Sequence, residues 1–493
     1  MRRAATLGID VGTQGTKALL VACDDGSTLG RGARAHAPLA PSSTGRAEQD
    51  PREWLEAVVA AARAALASAS APVEVLGIGV SGQQHGCVLV DERDEPVSPA
   101  KLWCDTETAD EADELAARLA RAVPVGWTAS KALHAIRRRG DEWRRADALL
   151  LPHEWINARL CGVRAAEPGD ASGTGWLDPT TRRHDHAMLE AIGGGIERKL
   201  PPLVPSDAIV GGLLPDMARR LGLPDGVPVS AGGGDNMMSA IGAGAAAEGV
   251  VVASLGTSAT IFARSAKPIL DPRALVSPFC DSAGAWLPLL CLLNCTGVLE
   301  ELRRGFALEH DELARLALAA PAGGEGLVCL PWLAGERVPA LPRATGSFAG
   351  LRGGMLAPGP LGRAVVEGVA HGLALCLARL RLFGLAPAEV RLVGGASRSP
   401  LWTRVLADAL ALRVVPLAEA ETAALGAALQ AQWAARRAGG ETVELAPLAA
   451  RGIALRDPIE PDAAGVAALE RARAGFLELL EREHGASARP DRP

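Results

Sequence analysis

Two aspartates stand in settings where acid–base or phosphate chemistry could be done. Asp10 lies in Gly8-Ile9-Asp10-Val11-Gly12-Thr13-Gln14-Gly15-Thr16, and Asp235 follows three glycines in Gly232-Gly233-Gly234-Asp235-Asn236. Glycines let a backbone approach a phosphate closely, and hydroxyls donate hydrogen bonds to it. The first segment is not a Walker A loop, which needs Gly-Lys-Ser/Thr, because here Lys17 follows Thr16. It is not a dinucleotide fingerprint either, since no helix pattern follows. A phosphate-binding turn and a plain hairpin turn capped by Asp10 both fit. At Asp235 the glycines clear space before a helix, so the carboxylate is either an N-cap or a general base at the mouth of a cleft.

Other polar groups follow apolar runs. Ser81-Gly82-Gln83-Gln84-His85-Gly86 comes after a buried-looking strand, the place where open α/β sheets bind ligands. Gln84 and His85 can bond sugar hydroxyls or form a solvated loop. In Trp103-Cys104-Asp105 the indole can stack on a sugar while the carboxylate accepts from its hydroxyls. A buried Trp beside a surface Asp reads equally well. Gly394-Gly395-Ala396-Ser397 leaves room for an adenosine to lie flat, or is a tight strand-to-helix turn. His184-Asp185-His186 looks like half a metal site, but no further ligands accompany it, and a surface loop is expected.

The elements that must position these residues can be read from periodicity. Residues 5–11 and 16–22 read as the strands of a hairpin, 53–68 as a helix and 73–80 as a buried strand. A helix is expected at 110–122, strands at 146–151 and 226–231, and a helix from about Asn236. The Gly- and Ala-rich stretch 242–249 reads as a domain junction. Beyond it come strands 250–255 and 259–263 around Gly256-Thr257-Ser258, a helix at 367–382, a strand at 390–393, and helices at 400–410 and 465–483. Leu-Gly-Ile-Asp-Val-Gly-Thr near the start resembles Val-Ala-Ser-Leu-Gly-Thr at 252–257, with Gly12-Thr13 over Gly256-Thr257 and Asp10 over Ser254. The repeat suggests two related domains facing a cleft: 1–248, then 249–483, with a frayed tail at 484–493.

Composition narrows the class. The chain has 493 residues, 48% apolar and 22% charged, enough for two sizeable cores. Fifty-one Lys and Arg against 57 Asp and Glu give a net charge of −6, without the basic excess of a nucleic-acid binder. No Tyr is present, which excludes tyrosine-based catalysis. The nine scattered Cys contain no C-x-x-C and read as reduced thiols in a cytoplasm. No signal peptide or membrane span is expected.

Taken in their order, these segments resemble the FGGY carbohydrate kinases. The resemblance runs from Gly8 to about Gln430. It is carried by 8–17, 81–86, 102–105, 168–178, 232–236, 254–258, 330–339, 367–372, 393–399 and 424–428. It implies an α/β chain of two ribonuclease H-like domains of the actin and hexokinase superfamily, with ATP and a sugar meeting in the interdomain cleft. It makes Asp10 the residue near Mg²⁺ and the γ-phosphate, on a first phosphate hairpin with Gly12, Thr13 and Gln14. It makes Gly256 and Thr257 the second phosphate loop and sets Gly395, Ala396 and Ser399 against adenosine. Asp235 becomes the base, and Gln84, His85, Trp103, Asp105 and Asn236 the sugar contacts. The implied reaction is ATP-dependent phosphorylation of D-xylulose at its 5-hydroxyl. A relative acting on ribulose or another polyol, or a non-catalytic sugar sensor, is the alternative. The chain departs from the pentulose-phosphorylating members at Gln84, where Met is usual, and at Cys104, where Asn is frequent. The expected partners are a small-molecule sugar and ATP, with no nucleic acid and no membrane. A homodimer is compatible with the sequence without being given by it.

Overall fold

Residues 2–40 and 42–492 are described by a computed structural model of the chain. The first apolar runs form β1 (Arg3–Val11) and β2 (Gly15–Ala22), an antiparallel hairpin with Asp10 opposite Lys17. β3 (Thr28–Ala35) extends the meander. α1 (Pro51–Ala67) starts where Asp50 accepts a bond from the Arg52 N–H and Pro51 takes the first helical position. Its buried face, with Trp54, Val58, Ala61 and Ala65, packs on the sheet. β4 (Val73–Gly82) runs parallel to β1 and sets Ser81 beside Asp10. After α2 (Pro152–Cys161), β5 (Ile209–Gly212), β6 (Pro228–Ser230) and β7 (Gly233–Gly234) complete a seven-stranded sheet. The order is β5-β6-β4-β1-β2-β3, with β7 paired to β4.

α3 (Asp235–Gly242) leads into a second sheet. Its hairpin is β8 (Val250–Leu255) and β9 (Ala259–Ala263), followed by β10 (Ser277–Cys280) and β11 (Trp286–Leu292). Helices α4 (Thr296–Phe306) and α5 (Pro358–Leu382) precede β12 (Glu389–Val393), and α6 (Pro400–Leu410) precedes β13 (Arg413–Pro416). The six strands run β10-β11-β9-β8-β12-β13. β8, β9 and β12 thus repeat β1, β2 and β4: an antiparallel hairpin with a parallel neighbour on its first strand. Gly12-Thr13 and Gly256-Thr257 occupy the same hairpin tip, and Ser254 takes the position of Asp10.

The helix that joins the halves has no signature in the apolar pattern. α7 (Thr422–Ala438) is nearly all Ala, Leu and Gln on its buried positions, so it shows little contrast between faces. It follows the second sheet in the chain, yet it lies on the first. A Cβ on Gly8 would fall 1.9 Å from the Ala424 carbonyl oxygen, and one on Gly79 would fall 2.0 Å from that of Ala427. Against α3 the approach is equally close: a Cβ on Gly426 would meet the Met238 carbonyl at 1.8 Å. One apolar cluster therefore spans both halves, from Leu19, Met237 and Ile241 to Val252, Phe262 and Ala424.

Two other expectations change. α5 begins at Pro358 rather than at 367, because Pro358 opens it and glycines such as Gly368 are needed where the Cys329 carbonyl comes within 2.4 Å of a Cβ position. By length and composition this helix could cross a membrane, but 94% of its most apolar window is buried, and it forms the core of the second half. The tail after α8 (Ala463–His484) is not frayed. Arg379 on α5 pairs with Asp271 and also donates to the carbonyls of Pro490 and Arg492, and Arg273 donates to those of Ser487 (2.7 Å) and Arg489 (2.6 Å). Asp271 is filled by Arg379 and by the backbone N–H groups of Arg273, Leu275 and Val276, so the remaining Arg379 donors and the Arg273 guanidinium turn to the tail carbonyls.

The seam predicts a contrast between two Gly→Ala substitutions. Gly426→Ala forces two helix backbones apart and should cost about 1–3 kcal/mol. Gly305→Ala in α4, where a Cβ meets no atom within 4 Å, should leave stability unchanged or raise it by up to about 1 kcal/mol. Urea unfolding midpoints check this, and equal midpoints would contradict the packing described.

Candidate active site

Three adjacent strand ends build the floor of the site. Asp10 of β1 sits beside Ser81 of β4, and Ser81 sits beside Gly233 of β7. The Ser81 hydroxyl donates to Asp10 Oδ1 at 2.8 Å. Burial pushes the Asp10 carboxyl up to about 6, against the Ser81 bond and the Lys17 charge. Asp235, one residue beyond β7, opens α3. It is not the N-cap, which is Gly234. Its Oδ1 accepts from the Asn236 N–H at 2.8 Å and from Asn236 Nδ2 at 3.1 Å. Burial, and then the charges of Asp10 and Asp170, push its carboxyl up to about 7 against those bonds.

The glycines before Asp235 make room chiefly for protein. A Cβ on Gly232 would lie 3.2 Å from His153 Cδ2, one on Gly233 2.5 Å from Ser282 Oγ, and one on Gly234 2.6 Å from Gln84 Cγ and 2.9 Å from Asp170 Oδ1. His153 and Asp170 were not singled out by sequence reasoning; they lie in α2 and in the short helix Pro168–Ala171, far along the chain from either aspartate.

Gln84 is bound into the site. Its Oε1 accepts from Asn236 Nδ2 at 2.6 Å, so it orients Asn236 and through it Asp235, while its buried Nε2 has no protein partner. His85 has a left-handed backbone (φ 61°), and its ring packs against Phe279 with centroids 5.5 Å apart. Gly173 is required there, because a Cβ would fall 1.8 Å from the ring. Burial lowers the imidazole to about 4, so it is neutral at ordinary pH, with a buried Nδ1 that has no partner.

Trp103 is 43% exposed, and its indole N–H donates to Thr13 Oγ1 at 3.0 Å. The Thr13 hydroxyl in turn donates to Gln83 Oε1 at 2.8 Å. Its one proton is thereby committed inside the protein, as is the Gly12 N–H, which donates to the Gly15 carbonyl at 3.0 Å, so the N–H groups of Thr13 and Gln14 are the donors left at the turn. Gln49 completes the network: its Nε2 donates to the Thr13 carbonyl (2.8 Å), and its Oε1 accepts from Trp54 (3.0 Å). Gln49 and Trp54 gave no sequence signal beyond helix patterning.

Asp105 does not join this group. It is fully buried, and its Oδ2 accepts from Lys101 Nζ (2.9 Å) and from the Ala47 N–H (2.8 Å). Lys101 also meets Glu107 at 2.6 Å and Glu48 at 3.1 Å. The cluster Glu48, Asp105 and Glu107 therefore holds an ammonium rather than a metal-like vacancy. His184 and Asp185 are equally structural, since Asp185 caps the helix His186–Ile192.

The second half contributes Gly-rich loops without carboxylates. Gly256 and Thr257 are exposed at the β8–β9 tip, and the Gly256 and Thr257 carbonyls accept from the N–H groups of Thr296 (3.0 Å) and Cys295 (3.0 Å) at the start of α4. Gly394 (φ 87°) turns the chain beside Leu255, so the loop from Gly394 to Ser399 emerges next to the first one. Gly395 is exposed with no atom within 4 Å of a Cβ position, Ala396 is buried, and Ser399 precedes Pro400 at the start of α6. The missing side chain at Gly395 answers no need of the protein's own packing.

Two carboxylates on one wall and two Gly-rich loops on the other suit phosphoryl transfer to a hydroxyl. Comparison with known proteins agrees. The chain matches the N-terminal domain of the FGGY family of carbohydrate kinases over residues 5–242 and the C-terminal domain over 251–435. It belongs to this family and is a phosphotransferase acting on a sugar hydroxyl. Among individual proteins, it is 39% identical to the xylulose kinase of Haemophilus influenzae over 445 residues, covering 87% of this chain and 90% of that protein. It is 33% identical to the xylulose kinase of Escherichia coli, covering 96% and 98%. The crystal structure of xylulose kinase from Rhodospirillum rubrum superposes with a TM-score of 0.86 at 27% identity, over 97% of this chain and 99% of that one.

If the open face of Gly395 receives the nucleotide, Gly395→Ala should leave the thermal midpoint in place and raise the KM for ATP by about tenfold, with a smaller change in the KM for sugar. Initial rates at varied ATP and sugar check this; an unchanged KM for ATP would remove Gly395 from the nucleotide site.

Proposed function

We propose that the chain phosphorylates D-xylulose on its 5-hydroxyl with ATP, and that Asp235 is the general base. The observation that carries the reading is Asp235 itself, held by Asn236 and Gln84 beside the Asp10 strand end, with its carboxyl pushed up to about 7. Xylulose is favoured because the relatives that align along most of the chain are xylulose kinases.

A sugar hydroxyl is a weak nucleophile at neutral pH. Asp235 accepts its proton while the oxygen attacks the γ-phosphorus in line, and the bond from that phosphorus to the bridging oxygen breaks to release ADP. A base with a value near the working pH accepts the proton without being silenced by it. Neutral His85, Asn236 and the unpartnered Gln84 Nε2 supply donors and acceptors to sugar hydroxyls, and Trp103 supplies a stacking face. The Gly12–Gln14 and Gly256–Thr257 tips offer phosphate oxygens the backbone N–H groups of Thr13, Gln14 and Thr257, since those of Gly12 and Gly256 close their own turns. Among the described residues no hydrogen bond engages Asp10 Oδ2, and a carboxylate oxygen suits a hard cation, so Asp10 would hold Mg²⁺. Mg²⁺, when bound, neutralises charge on the phosphates. The two halves, 1–248 and 249–483, would close over the substrates and exclude water. Nine free thiols, several of them buried, fit a cytoplasmic setting.

Two measurements test the base. Asp235→Asn should lower kcat by at least about a thousandfold and leave the KM for ATP within a few-fold; turnover near wild type would remove Asp235 from the role. In the wild-type enzyme kcat/KM for D-xylulose should fall tenfold per pH unit below about 7, because the protonated carboxyl cannot accept the hydroxyl proton. A flat profile down to pH 5 would contradict this.

A further inference from the structure

A second carboxylate lies directly behind the base. Asp170 belongs to the short helix Pro168–Ala171, whose N-cap is Glu167. Glu167 is saturated: it accepts from the N–H groups of Gly169 (2.9 Å) and Asp170 (2.7 Å) and from the hydroxyls of Ser206 (3.0 Å) and Ser282 (2.9 Å). Asp170 is not. Its Oδ2 bonds His153 Nδ1 at 2.7 Å, and its Oδ1 is buried with no partner among the described residues. Both side chains are fully buried. The free oxygen lies 2.9 Å from where a Cβ on Gly234 would stand, so it rests against the residue that precedes the base.

We propose that Asp170, clamped by His153 behind Gly234, is a positioning residue for phosphoryl transfer that acts through its charge on Asp235 and touches neither substrate. The proposal rests on Asp235 being the base. Glu167 has both oxygens bonded, whereas Asp170 leaves one bare beside the residue that precedes the base. Leaving one oxygen bare toward the base costs desolvation, and what it supplies is a negative field at Asp235. That field adds to burial and to Asp10 in raising Asp235. The groups facing Asp170 are His153 and Glu154 on α2, Glu167 at the cap, His85 after β4 and Asp235 on α3. Burial opposes a charge on His153, but the Asp170 bond and the nearby carboxylates outweigh it, and its value is raised. The His153 ring stands on the Oδ2 side of Asp170, so the bare Oδ1 is the oxygen that rests beside Gly234 and the base.

The pH dependence of kcat/KM for D-xylulose at fixed Mg-ATP, measured for the wild type, Asp170→Asn and Asp235→Asn, tests this. Asn keeps the shape and the bond to His153 but removes the charge. The acid limb of Asp170→Asn should move to lower pH by about one unit, on a reduced plateau. A limb that stays in place while the whole profile drops would show a merely structural role and overturn the proposal. Persistent turnover in Asp235→Asn would instead overturn the base reading on which it rests. Should Asp170→Asn not fold, Asp170→Ser replaces it, with the same shift of the acid limb expected and a stationary limb again overturning the proposal.

Discussion

The geometry of the site depends on one close contact, the passage of α7 across β1, β4 and α3 with no side chains between the backbones. Gly8, Gly79, Gly242 and Gly426 permit it, each at a point where a Cβ would overlap a backbone atom of the facing element. The consequence is positional. β1 ends at Asp10, β4 ends at the Ser81–His85 loop, and α3 begins at Asp235, so one helix braces all three catalytic elements from behind. Because α7 follows the second sheet directly, it also ties that sheet to the floor of the site. Loosening the seam would therefore disturb chemistry and stability together.

The duplicated hairpins show how one scaffold serves two opposite electrostatic needs. The first half gathers carboxylates: Asp10 and Asp235 at the strand ends, with Asp170 behind. Burial raises both of the first two, and the Asp10 and Asp170 charges add to it at Asp235, bringing that carboxyl near the working pH suited to a general base. The second half places Ser254 where Asp10 stands and surrounds its tip with Gly256, Thr257 and Gly395. On the reading proposed above, the anionic triphosphate meets neutral N–H groups without the repulsion that a second carboxylate wall would impose, and sugar and nucleotide are sorted by charge across one cleft.

Much of this was legible in the sequence, and the exceptions have physical causes. The hairpin tips could be read because Gly-Thr turns interrupt alternating apolar runs, and Asp235 because three glycines precede it. What those glycines serve could not be read: His153, Ser282 and Asp170 approach from remote segments, and no local pattern records a tertiary contact. Asp105 was expected beside the sugar with its neighbour Trp103. In the fold the indole turns out to Thr13, while the carboxylate turns in to Lys101, four residues earlier. α7 was not read as a helix, although 424–428 helps carry the resemblance, because an Ala-rich helix buried on nearly every side has no polar face to reveal its period. The tail looked frayed because the arginines that bind its carbonyls, Arg273 and Arg379, lie more than a hundred residues upstream.

Acceptor choice tests the proposed function most directly, because Gln84 engages Asn236 and keeps only its Nε2 unengaged. The most direct measurement is ADP release with Mg-ATP against D-xylulose, D-ribulose, L-ribulose, L-xylulose, glycerol and gluconate. D-xylulose should be preferred in kcat/KM by at least about tenfold, with the phosphate on its 5-hydroxyl. Preference for another acceptor, or no ADP release with any of the six, would contradict the assignment.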